Sequence, residues 1–126
     1  LLNLVWNPNV AGDVSALGVT STGVLIGGLF SQVNGLTPRA NGAIVDPIAG
    51  LAVIGFNPGF NSSVVDIATE GATSYWVGGF GASNGVARGH AAGFTLPAGT
   101  LNAWNPFVTT EVKAVHVVGD KVVLGG

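Results

Sequence analysis

Trp6-Asn7-Pro8 returns as Phe56-Asn57-Pro58 and again as Trp104-Asn105-Pro106, and this recurrence decides how the rest of the chain is read. The spacings are 50 and 48 residues, a period at which each unit of a repeat protein is one supersecondary module stacked on its neighbours. Lined up on the aromatic-Asn-Pro turns, the intervening segments follow one order.

Val14, Val64 and Val112 each stand six residues beyond a proline and open an alternating segment: Val14-Ser15-Ala16-Leu17-Gly18-Val19, Val64-Val65-Asp66-Ile67-Ala68-Thr69 and Val112-Lys113-Ala114-Val115-His116-Val117. Period-two alternation with β-branched residues predicts a strand, here strand a of each unit. Tight turns follow at Ser21-Thr22-Gly23, Glu70-Gly71-Ala72 and Gly119-Asp120; the last, a glycine-led pair between Val118 and Lys121, is a hairpin signal. Strand b returns as Val24-Leu25-Ile26-Gly27-Gly28, Tyr75-Trp76-Val77-Gly78-Gly79 and Val122-Val123-Leu124-Gly125-Gly126, aligned on the paired glycines. Consecutive apolar residues predict that both its faces are covered. The glycines predict a close backbone approach or a bulge.

A longer connection keeps one Phe and ends in Asn34-Gly35 or Asn84-Gly85, a dipeptide that tolerates positive φ and marks a turn. Strand c is expected over 39–46 and 88–96. Asp46-Pro47 with Gly50, or Leu96-Pro97 with Gly99, then turns the chain into strand d, which ends on the next aromatic. No helical period occurs. The expected fold is all-β: a β-propeller segment of four-stranded antiparallel blades forming an incomplete ring. Residues 1–6 are read as the last strand of a blade, 7–56 and 57–104 as blades, and 105–126 as the first half of another. Small residues at Ala16, Gly18, Ala68 and Ala114 suit strand a as the innermost, where blades converge. Leu2, Leu4, Val122 and Leu124 would be exposed in an isolated copy, so further blades or copies of the chain are the expected partners.

Composition excludes several classes. With 4 Lys and Arg, 6 Asp and Glu and a net charge of −2, there is no basic field for phosphate, which argues against nucleic acid as a partner. Although 48% of residues are hydrophobic, Gly, Asn, Ser or Pro interrupts every apolar run before the ~18 residues of a spanning helix, so no membrane span is expected. The absence of Cys excludes disulfides and thiolate-metal sites. The absence of Met, and a start at Leu1 to Val5 too short and uncharged for a signal peptide, suggest a mature or excised piece of a longer protein.

The pattern resembles two related groups. It is similar to kelch-type propellers in the apolar strand ending in Gly-Gly, the later Asp46-Pro47 with Gly50, and the aromatic closing strand d. It resembles more closely the repeat of secreted bacterial propellers sometimes labelled delta-60-like. In the first unit this similarity rests on Trp6-Asn7-Pro8, Gly27-Gly28 with Phe30, Asn34-Gly35, Arg39, Asp46 and Gly50. The second unit departs from it with Phe56, with Gly79 followed directly by Phe80, and with Thr95 in place of Asp. The resemblance implies a binding or assembly module in a secreted or cell-surface bacterial setting.

Candidate ligand-binding residues cluster where the d-to-a turn and the b-to-c loop are expected to share a rim: Asn7, Gln32, Asn34, Arg39, Asn57, Asn84 and Arg88. Against that stands a structural role for each: Asn before Pro caps its own turn, and arginines at matching points suit a carbonyl or carboxylate contact in every unit. Trp6, Phe56, Trp76 and Trp104 are either sugar-stacking platforms or wedges between sheets, and the wedge carries more weight. His116 replaces Gly18 and Ala68 and is a candidate for a central channel. His90 carries no such signal. Asp13, Asp46, Asp66, Glu70, Glu111 and Asp120 are scattered without catalytic or metal-ligand spacing, so no enzyme, metal or cofactor is expected. The leading expectation is a non-catalytic structural or interaction module. The alternatives are a carbohydrate-binding, lectin-like propeller with a glycan or another surface protein as partner, and, at lower weight, part of an enzyme with its catalytic residues elsewhere.

Overall fold

A computed structural model describes residues 5–126, all-β with no helix among them. The reading of 1–6 as a strand, with Leu2 and Leu4 exposed, falls outside the described residues apart from Val5 and Trp6. The chain forms β1 (Gly12–Thr20) and β2 (Gly23–Phe30), a small hairpin of β3 (Gln32–Val33) and β4 (Thr37–Pro38), and then β5 (Gly42–Val45). The order recurs as β6 (Val64–Glu70), β7 (Thr73–Gly78), the small hairpin β8 (Ala82–Ser83) and β9 (Val86–Ala87), β10 (Ala91–Thr95) and β11 (Thr100–Leu101). β12 (Ala114–Val118) and β13 (Lys121–Gly125) complete the series.

These strands form antiparallel sheets in the orders β1-β2-β5, β11-β10-β7-β6 and β12-β13, and none closes on itself. The connection after strand b is not a plain loop. Positive φ at Asn34 and Gly35, and at Asn84 and Gly85, folds it into the small hairpins. Strands c and d are shorter than expected: strand c pairs over 42–45 and 91–95, and strand d is reduced to the bridge Val45↔Ala52 and to β11. A turn closed by the Phe56 N–H on the Val53 carbonyl, at 3.2 Å, takes the chain away from the sheet before the aromatic is reached.

Alignment on paired glycines misplaces the second copy of strand b by one residue. The ladders pair Leu17 with Ile26, Ile67 with Trp76 and Val115 with Leu124, so Ile26 corresponds to Trp76 rather than to Val77. The equivalent glycines are Gly28, Gly78 and Gly126. Bulges at Val14/Ala16 and Val64/Asp66 bring the preceding backbone against the first two, and a Cβ there would strike the carbonyls of Asp13 and Ser63. A one-residue slip reverses every side chain, so this register decides which residues face which sheet.

The sheets stack face to face. Ala16, Leu25 and Ile44 of the first meet Ile67, Trp76 and Phe94 of the second, with Phe56, Phe60 and Phe80 sealed between them. Phe60 lies 4.4 Å from Phe80 and 5.5 Å from Trp76 between ring centroids, within the range of favourable aromatic pairing. The far face of the second sheet carries Ala68, Tyr75 and Val77 against Val115, Val122 and Leu124 of the third. On the far face of the first sheet, Trp6 and Val10 cover Ile26, Phe30 and Val45.

Candidate functional site

The turn before β1 and the connection after β2 do come together. The Ala11 N–H donates to the Gln32 carbonyl at 2.9 Å, the Ser31 N–H to Ala11 at 3.3 Å and the Asn34 N–H to Pro8 at 2.7 Å. In the second copy, Asn61 donates to Ala82 at 3.2 Å and Asn84 to Gly59 at 3.0 Å. The c-to-d turn also closes on the first of these joints, although alternating connections would put it at the other end. The Trp6 indole N–H donates to the Asp46 carbonyl at 2.9 Å and the Asn7 N–H reaches Ala49 at 3.5 Å, drawing residues 6–8 toward that turn.

At this joint the candidate amides are engaged by backbone. The Asn34 amide nitrogen donates to Gly50 at 2.8 Å and Pro8 at 3.2 Å, while its oxygen accepts from the Ala52 N–H at 2.8 Å. Asn84 donates to the Asn57 carbonyl at 2.8 Å, which is the contact that involves Asn57. Asn7 is exposed and accepts from the Asn9 N–H at 3.0 Å, a local turn cap. Gln32 is half-buried in β3.

Arg39 is 7% exposed. It donates to the Pro38 carbonyl at 2.7 Å and to Val53 and Ile54 at 3.5 Å. Arg88, half-buried, donates to Ala87 at 2.9 Å and Asn102 at 3.1 Å. Each guanidinium therefore ties the start of strand c to the carbonyls around strand d, and each leaves a buried Nε without a partner. Asp46 does not meet Arg39. Its carboxylate accepts from the N–H groups of Ala49 at 2.7 Å and of Ile48 and Leu51 at 2.9 Å. The Ala49 bond foremost, with those of Ile48 and Leu51, holds its pKa below the usual carboxylate value against the opposing effect of desolvation.

Phe56 and Trp76 are wholly buried and offer no face to a ligand. Trp104 is half-buried, edge-on to Tyr75 at 5.1 Å, and Trp6 is half-buried in the cluster on the first sheet. His116 is exposed on β12 opposite Val123. Because Val115 and Val117 alternate with it and Val115 packs on the second sheet, His116 points away from that sheet, onto the open face of the third. No three His, Asp or Glu among the described residues stand close enough to share a metal ion.

Two connectors escaped sequence reading. Asn41 is buried; its oxygen accepts from the Phe30 N–H at 3.0 Å and its nitrogen donates to the Phe60 carbonyl at 2.9 Å, joining the first sheet to the segment entering the second. Its signal was the dipeptide Asn41-Gly42. Asp66 accepts from the Val115 N–H at 3.0 Å and so links the second sheet to the third; an acidic residue inside an apolar strand was the available clue.

Among the described residues, the surface without a covering sheet lies at the two ends of the stack. On the first sheet Leu17 is 65% and Val19 72% exposed, and on the third Val118 is 55% and Val123 52% exposed. Comparison with protein-family models, with curated proteins and with solved structures gives no match.

Proposed function

We propose that this chain is a β-propeller segment acting as a non-catalytic structural or interaction module of a secreted or cell-surface bacterial protein, completed by further blades or by copies of itself. The observation that carries this reading is the stack: each internal sheet face is buried against the next sheet, whereas the two end faces keep exposed Leu17, Val19, Val118 and Val123. Sheets of this kind bury apolar area only against neighbours, and unpartnered end faces of a stack favour association. The polar residues of the joint support a structural role as well, since Asn34, Asn84, Arg39 and Arg88 bind backbone carbonyls. Static light scattering on the purified chain tests the reading. A mass above the monomer, growing with concentration, is expected; a soluble monomer with a cooperative melt at every concentration would overturn it.

A further inference from the structure

The three sheets stack by one rule. Toward the next sheet the first presents Ala16, Gly18, Leu25 and Gly27, and the second answers with Ile67 and Trp76. The second in turn presents Ala68, Tyr75 and Val77, and the third answers with Val115, Val122 and Leu124. By ladder register the answering positions of the first sheet are Leu17, Val19, Val24 and Ile26, and the presenting positions of the third are Ala114, His116, Val123 and Gly125. Among the described residues, the presenting face of the third sheet is open, and the answering face of the first, at the opposite end, is open at Leu17 and Val19 while Trp6 and Val10 cover Ile26.

We infer that the presenting face of the third sheet docks onto the answering face of the first sheet of a second copy, head to tail, continuing the step taken twice within the chain. This rests on the reading of the chain as an assembling module. The continuity is in the residues: Leu17 and Val19 occupy the register of Ile67 and Thr69, which already fit against the first sheet around Gly18. Charge does not oppose the contact, because the answering positions carry none and Lys121 is the one charged residue in the β12–β13 ladder. Such an interface is heterologous, so each docking leaves a free face at either end and association continues beyond two copies.

His116 sets the strength of this contact. It stands where the first and second sheets have Gly18 and Ala68. A Cβ on Gly18 would already lie 3.2 Å from the Ile67 Cγ2 and 3.3 Å from the Thr69 Cγ2, so an imidazole at this position wedges against Leu17 and Val19 of the incoming copy. The copy-to-copy step is weaker than the internal ones for that reason.

Val19→Glu and Val123→Glu each remove one face at a position exposed within its own chain. In sedimentation velocity, each variant alone runs as a monomer, and an equimolar mixture gives a 1:1 dimer and nothing larger, because one intact face survives on each partner. His116→Ala, which restores the small residue of the second sheet, tightens wild-type association by about tenfold through relief of overpacking. A wild type that associates while the two variants associate equally well, or while their mixture stays monomeric, overturns this docking and leaves the assembly reading in place. A wild type that is monomeric at all concentrations removes both.

Discussion

Asn41 sits at φ 65°, a left-handed conformation that Asn tolerates better than other residues with a Cβ, and from there its amide reaches the backbones of Phe30 and Phe60. Asn41→Ala removes both bonds and adds backbone strain, at a cost of about 2–4 kcal/mol. Asn41→Gly loses the same bonds without the strain and costs less; urea denaturation of the two variants separates the contributions. Asp46 makes a prediction with a definite sign. Its folded-state pKa is lowered by the N–H groups it accepts from, so the stabilisation is complete above the ordinary Asp value of about 3.9 and disappears as pH falls through the lowered value. Stability therefore declines below about pH 4, and Asp46→Asn flattens that part of the decline. An unchanged acid profile in thermal melts of the variant would exclude the assigned role. The Asn34-Gly35 and Asn84-Gly85 turns were legible because the dipeptide itself specifies positive φ. The use of the Asn34 amide was not, because its partners Pro8, Gly50 and Ala52 come from distant segments.

Strands a and b announce themselves through alternation and apolar runs, and the hairpins β1–β2, β6–β7 and β12–β13 form where those signals stand. Their register was less visible. Matching Gly27-Gly28 to Gly78-Gly79 used local identity, whereas the ladder places Gly78 opposite Val64 just as it places Gly28 opposite Val14. Both glycines lie where a bulge leaves no room for a Cβ. Gly28→Ala and Gly78→Ala should each cost about 1–3 kcal/mol through forced backbone movement, while Gly55→Ala, with nothing within 4 Å of its Cβ position, should leave the urea midpoint nearly unchanged. Strand d is shorter than the aromatic at its end suggests. The turn at Val53–Phe56, with Arg39 donating to Val53 and Ile54, ends it early.

Three face-packed sheets make a molecule whose interior is apolar and whose two ends keep exposed apolar residues, Leu17 and Val19 at one and Val118 and Val123 at the other. If copies dock through those ends, unfolding is linked to dissociation, and mass action raises the melting temperature with protein concentration. Differential scanning calorimetry over a hundredfold range of concentration should show that rise in the wild type and its absence in Val19→Glu. The all-β class, the hairpins and their turns were determined by the sequence alone, since alternation, glycine-led turns and Asn-Gly act over a few neighbouring residues. Tertiary structure alone decided which face of each strand is covered, that the amides of the Asn-Pro joints serve backbone carbonyls, and that His116 lies on an open end. Those outcomes depend on where a bulge shifts the ladder and on contacts between residues tens of positions apart, and no local pattern encodes either.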